Sequence, residues 1–211
     1  MLFLLTLLTT VMGISERKQR QQEEVKLEII RCSWEIVEEQ GWANLSIRKI
    51  ADAIEYSVPV VYKHFENKEA IIAHFVEDGF YQLKNEIYEA IHPEEAPEKQ
   101  IKQLARAYWV FAARNPKLYE IMFGLGIPTC ESIRSSQHVQ CVSQKMEELV
   151  NAVIDKSKNT ENDGHLKLRT LWSILHGIVA IDLLSLEQRS DICPSVVLED
   201  AIDGYVRSFT I

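Results

Sequence analysis

The sequence predicts an all-α protein: an N-terminal three-helix head containing a helix-turn-helix, joined by a long helix to a larger helical ligand-binding and dimerisation domain. Three observations carry this. Apolar residues recur at three- and four-residue steps through most of the 211 residues. Glycine and proline together number only 14, too few to punctuate a many-stranded fold. No strand-like alternation and no internal repeat stands out.

From Glu23, the residues Leu27, Ile30, Trp34 and Val37 form one face of an amphipathic helix that Gly41 stops. Ser46 caps a short second helix carrying Ile47, Ile50, Ala51 and Ile54. Ser57 caps a third, with Pro59 in its first turn, running to about Phe65. Asn67 caps a fourth, on which Ile71, Phe75, Phe80, Leu83 and Ile87 mark the apolar face. The stretch HPEEAPEK at 92–99 reads as a linker. Further helices are expected at about 98–114, 116–126, 131–157, 164–189 and 195–209, with a polar loop at 156–164. The expected division is an extension and basic arm at 1–22, a helix-turn-helix domain at 23–75 and a helical body at 76–211.

Composition is that of an ordinary soluble protein, with 46% apolar and 26% charged residues. The net charge of −8 taken alone argues against a nucleic-acid partner. Residues 16–70 hold nine Lys/Arg against eleven Asp/Glu, a net of −2, so DNA binding must rest on where the basic groups point. Four cysteines without paired spacing point to reduced thiols and a cytoplasmic protein. The opening MLFLLTLLTTVMGI is shorter than the roughly 20 residues of a membrane span. It also lacks the basic region and cleavage site of a signal peptide. The expectation is that Met12 is the biological start and that no membrane is involved.

Two short capped helices joined by a tight turn form a helix-turn-helix, whose second helix enters the DNA major groove. Val58 and Pro59, with Val60, offer apolar tips for thymine methyls, while Tyr62, Lys63 and His64 can reach phosphates or base edges. Lys68 adds a cation beside the free N–H groups that open the fourth helix. The segment LSIRKIADAIEYSVPVVYKHFENKEAI, Leu45 to Ile71, resembles the DNA-binding domain of the TetR family of transcriptional regulators. Ser46, Ile50, Ala51, Tyr62, His64, Phe65, Lys68 and Glu69 match that family's pattern, and IIRCSWEIVEEQGW matches its first helix.

The resemblance implies a regulator and not an enzyme: a homodimeric repressor of a palindromic operator, released by a small molecule. It implies Arg48 as a base reader, Ser46 as a phosphate contact, Val58, Pro59 and Val60 at the groove, and Tyr62, His64 and Lys68 on the backbone, and Ser57 joins them as a DNA-binding candidate. One departure is Ile54-Glu55-Tyr56, where the family usually carries Ala-Gly-Val. It puts a left-handed conformation on a glutamate. Glu55 and Glu66 also bring negative charge to the DNA face, against which Arg17, Lys18 and Arg20 are expected to compensate.

In the body, LWSILHGIV resembles a TetR subgroup with Trp, His and Gly at the spacing of Trp172, His176 and Gly177. Together with Tyr108, Trp109, Phe111, Tyr119, Met122 and Phe123, Trp172 and His176 could line a pocket for an apolar or amphipathic ligand. The same residues equally describe a core. The last two helices are apolar enough to pair with a second copy through Leu175, Ile178, Ile181, Leu184, Val197, Ile202 and Val206. Two other readings stay open: a helical adaptor without DNA binding, and a thiol or metal sensor using Cys130, His138 and Cys141. No enzyme, cofactor or metal motif is recognisable.

Overall fold

The computed structural model describes residues 2–123, 137–157, 159, 161–184 and 194–210. Its helices are α1 (Leu2–Gln40), α2 (Ile47–Ala53), α3 (Val58–Tyr62), α4 (Lys68–Ala90), α5 (Pro97–Arg114), α6 (Pro116–Met122), α7 (Gln137–Ser157), α8 (Gly164–Leu184) and α9 (Pro194–Arg207). A single 3-10 turn, Trp42–Asn44, lies between α1 and α2, and no strand occurs among the described residues. The chain forms two compact units, Met1–Ile72 and Ala73–Ile211, whose boundary falls within α4. No helix among the described residues is long and apolar enough to cross a membrane.

The first helix begins well before Glu23. Residues 15–22 are Ser, Glu, Arg, Lys and Gln, all exposed, so they carry no apolar stripe, yet most of them are good helix formers. The expected basic arm is therefore a continuation of α1, and Arg20 pairs with Glu16 one turn earlier at 3.9 Å.

The head is built around Ile29, Val37, Trp42, Leu45, Ile50, Val61 and Ile71, all essentially inaccessible to water. Ser33 is buried among them and satisfied, its hydroxyl donating to the Ile29 carbonyl at 2.6 Å. Gly41 stops α1 at φ 77°, its N–H donating to Val37 O at 2.8 Å. Ser46 Oγ then caps α2 by accepting from Lys49 N at 3.3 Å. Asn67 Oδ1 does the same for α4, accepting from Ala70 N at 2.7 Å. Ser57 holds the N-cap position of α3 without a side-chain bond. The helix also ends at Tyr62, short of Phe65. Lys63 N and His64 N reach back three residues, to Val60 and Val61, so the last turn tightens into 3-10 form.

The body is arranged around α5, which packs against α7, α8 and α9. Its fully buried Ile101, Leu104, Tyr108 and Phe111 recur at helical spacing. Where α4 meets α6, Gly79 permits an approach that a side chain would block, since an added Cβ would lie 2.5 Å from Met122 Sδ.

The turn between α2 and α3 closes with paired bonds, Glu55 N to Asp52 O at 3.3 Å and Tyr56 N to Ala51 O at 3.0 Å. That geometry places Glu55 at φ 57°, in the left-handed region that glycine adopts without strain. Glu55→Gly is expected to stabilise the protein by about 1 kcal/mol, read from urea unfolding. A lower unfolding midpoint would show that glycine's extra chain entropy outweighs the relieved strain.

Candidate functional site

In α3, Val61 is fully buried and Phe65 just beyond it nearly so, which turns the opposite side of this short helix to solvent. Pro59, Lys63 and Tyr62, the last 51% exposed, stand on that side, with Val58, Val60 and His64 half-buried. Ser57 is exposed beside them. On α2, which packs against α3, Arg48 is exposed and makes no ion pair with any described residue. Its neighbour Lys49 donates to Gln40 Oε1 at 2.7 Å. Ser46 spends its hydroxyl oxygen on the α2 cap. Lys68 is tied into the head, its Nζ donating to Trp42 O at 3.3 Å, which leaves two of its three N–H donors for another acceptor. The sequence reading missed Lys26, which sits within the amphipathic repeat of α1 and reads there as an ordinary solvent-side lysine. In the fold it shares a groove with Lys18, Lys63 and His64.

The body gathers five of the eight expected ligand residues into one cluster. His176 stacks on Trp172, with ring centroids 5.2 Å apart and planes 16° apart, and Phe123 meets it edge-on at 4.4 Å. Tyr119 Oη lies 2.7 Å from His176 Nδ1, and Tyr108 Oη lies 3.0 Å from Tyr119 Oη. The other three stand apart. Trp109 donates from Nε1 to Asp182 Oδ2 at 2.8 Å, beside a groove of about 260 Å³. Phe111 is fully buried, and Met122 packs beneath Gly79.

Proton counting fixes the direction of the relay. If a bare Nδ1 accepts from Tyr119, and Tyr119 accepts from Tyr108, both hydroxyl protons are used within the cluster. With the proton on Nδ1, Tyr108, which is fully buried, would hold an O–H with no acceptor there. Tyr108 Oη also lies 3.3 Å from His176 Nδ1, longer than the 2.7 Å contact of Tyr119, and the arrangement that satisfies both hydroxyls assigns the imidazole proton to Nε2. Burial pushes the Tyr119 hydroxyl up to about 12, raises Tyr108 as well, and lowers His176 from its ordinary 6.5, so all three stay neutral near pH 7.

On the last two helices, Ile181 is 65% and Val197 44% exposed, while Ile178 and Val206 are half-buried. Leu175 and Ile202, expected at an interface, are instead buried in the subunit's own core. The nearly all-round apolar character of α8 concealed which residues face inward. The side chain of Leu184 lies outside the described residues, as do Cys130 and Cys193. Leu166 and Val196 add exposed apolar surface that the sequence reading left out. His138 sits 3.4 Å from Glu77 and edge-on to Tyr81. Among the described residues no three His, Cys, Asp or Glu side chains gather to hold a metal.

Protonating His176 would put a hydrogen on Nδ1 and remove the acceptor that Tyr119 uses. Because its folded value lies below 6.5, the unfolded chain takes up the proton first as pH falls. Its contribution is complete above 6.5 and is lost as pH drops from there towards the folded value. Urea unfolding at pH 7.5 and at about pH 5.5 is expected to show a larger stability loss in the wild type than in His176→Gln. Equal losses would assign the acid sensitivity to other groups.

Two family models match the chain. One describes bacterial regulatory proteins of the tetR family and covers residues 29–75. The other describes a tetracyclin repressor-like C-terminal domain and covers residues 101–189. The nucleoid occlusion factor SlmA of Aliivibrio fischeri, from strains MJ11 and ES114, is 31% identical over 101 residues, which are 46% of this chain and 50% of SlmA. The chain thus spans about half the length of the curated relatives it matches. A protein of unknown function from Rhodococcus sp. RHA1 superimposes with a TM-score of 0.74 at 19% identity, covering 88% of this chain and 95% of that one. PfmR, a TetR family transcriptional regulator from Thermus thermophilus, does so with a TM-score of 0.64 at 16% identity, covering 85% and 97%. At such identities the superpositions speak for the fold. The two family models hold α3 and the Trp172–His176 cluster respectively, and the chain belongs to the TetR family of bacterial regulatory proteins.

Proposed function

We propose that this chain is a sequence-specific DNA-binding transcriptional regulator, acting in the cytoplasm by binding and not by catalysis. The observation that carries the reading is α3. Its inner face is locked into the head by Val61 and Phe65, while Pro59, Tyr62 and Lys63 face solvent. That is the arrangement a recognition helix needs in the major groove. Arg48 reads a base edge, Val58 and Val60 meet thymine methyls, and Ser46, Ser57, His64 and Lys68 hold the backbone.

We further propose that the regulator works as a homodimer on a palindromic operator. The exposed apolar residues Leu166, Ile181, Val196 and Val197 on α8 and α9 support this. Gly177 and Gly204 lie on the same two helices with open space before them, which favours close approach of a partner helix. The likeness of the body to a repressor-type C-terminal domain supports repression. A small apolar or amphipathic ligand engaging the Trp172–His176–Tyr119 cluster would release the DNA by favouring one of two conformations.

The test is selection of bound sequences from a pool of random duplexes, run in parallel with Arg48→Ala/Tyr62→Ala. The wild type is expected to enrich a palindrome. The double variant, with its helical content confirmed by circular dichroism, is expected to lose it, at about 1–3 kcal/mol for the base contact of Arg48. No wild-type enrichment at any salt concentration would replace this reading with that of a helical adaptor.

A further inference from the structure

We propose that the groove between the N-terminal half of α1 and α3 seats the phosphodiester backbone of the duplex flanking the bases read by α3, with Lys18, Lys26 and Lys63 as its phosphate contacts. The inference rests on the DNA-binding reading above and extends the contact surface to a part of α1 that lies before the matched tetR segment.

The groove, of about 450 Å³, is lined by Lys18, Gln22 and Lys26 from α1 and by Tyr56, Lys63 and His64 from the reading side. Residues 18, 22 and 26 are spaced four apart, so they form a row along one face of the helix. The row exists because residues 15–22 are helical. As a loose arm they would have no fixed relation to α3.

The pairing of cations in the head singles this groove out. Arg20 is held by Glu16, and Arg31 by both Glu28 and Glu35. Lys49 and Lys68 are bound to Gln40 and the Trp42 carbonyl. Arg17, Lys18, Lys26, Arg48 and Lys63 have no acidic partner among the described residues, and three of these five line the one groove. Supply is not the reason, since the chain carries 31 acidic residues against 23 basic ones. Glu23 is the single acidic residue in the lining, so the groove keeps an excess of positive charge inside an acidic protein.

Three cations held together with a single carboxylate, Glu23, among them repel one another, and a further anion relieves that repulsion. Lys18 and Lys26 stand about 12 Å apart along the helix axis. That corresponds to roughly three to four nucleotides of one strand, a run of backbone and not a lone phosphate. Gln22 and Tyr56 supply neutral donors of the kind that bind phosphate oxygens beside lysines. Contacts of this sort fix register and add affinity without reading sequence.

The experiment is fluorescence anisotropy of the full chain on the duplex enriched by selection and on a random-sequence duplex, over a range of salt concentrations. Lys18→Gln/Lys26→Gln is expected to make the slope of log affinity against log salt shallower by about 2. Both duplexes should be weakened by a similar factor, and Lys18→Arg/Lys26→Arg should restore the slope. Lys63→Gln, at the end of the facing α3, is expected to lower it by about 1 independently of any change in α1. Wild-type binding with an unchanged slope in these variants would overturn the proposal. So would a variant with altered sequence preference, which would make these lysines base readers. If the wild type binds neither duplex, the DNA-binding reading itself fails and takes this inference with it.

Discussion

Everything the head presents outward depends on the burial of Val61 and Phe65. An α-helix of five residues has no stability of its own in water, where even favourable sequences need about 12–15 residues. The shape of α3 is therefore imposed by tertiary packing, through the fully buried Val61 where α3 packs on α2 and through the turn that delivers it. At one end, the paired bonds around Glu55 set the direction in which the chain leaves α2. At the other, the Asn67 cap and the Lys68–Trp42 bond pin the start of α4 to the head. The valines and proline of this segment form helices poorly, and they are tolerated because packing, not propensity, holds the helix. A surface fixed in this way loses little conformational entropy when it binds, so more of its contact energy appears as affinity.

The body solves a different problem. Tyr108 and Tyr119 bring two hydroxyls into an apolar interior, where an unpaired donor is costly. Their protons are consumed in sequence by Tyr119 and by His176 Nδ1, so α5, α6 and α8 are joined by hydrogen bonds as well as by packing. The rings of Trp172 and Phe123 cover the imidazole from two sides. The imidazole proton left on Nε2 makes His176 the polar tip of an otherwise aromatic cluster. A molecule that approached it would meet apolar walls with one directional donor, the combination that small-molecule sites use.

What could be read from the sequence was local. Ser46 and Asn67 announced their caps, and the absence of glycine at position 55 announced the left-handed glutamate that the backbone shows. The spacing of Ile50, Val61 and Phe65 gave the inner face of the head. The helical state of residues 15–22 is not legible in the sequence because a helix exposed all round carries no amphipathic period. The Tyr108–Tyr119–His176 relay joins residues 11 and 57 positions apart, so the individual residues stood out as pocket candidates but their hydrogen bonding left no trace in any local pattern. Leu175 and Ile202 were placed outward for a related reason. When apolar residues surround a helix, periodicity no longer says which side meets the subunit's own core.

The overall acidity of the chain fits a DNA-binding protein once charge is followed residue by residue. Ion pairs cancel much of the basic charge locally, as Glu28 and Glu35 do for Arg31. The cations left uncancelled in the head lie on α1, on α2 and at the C-terminal end of α3, and they set where a polyanion is attracted. Residues 71–211 carry fourteen Lys/Arg against twenty Asp/Glu, a net of −6 that repels the same polyanion. Repulsion of this kind disfavours wrong encounters more than it weakens the right one, because screening confines each effect to about 10 Å at ordinary salt. The acidic excess therefore restricts which surface can engage a duplex, and the unpaired lysines and arginines of the head supply the attraction where restriction leaves room for it.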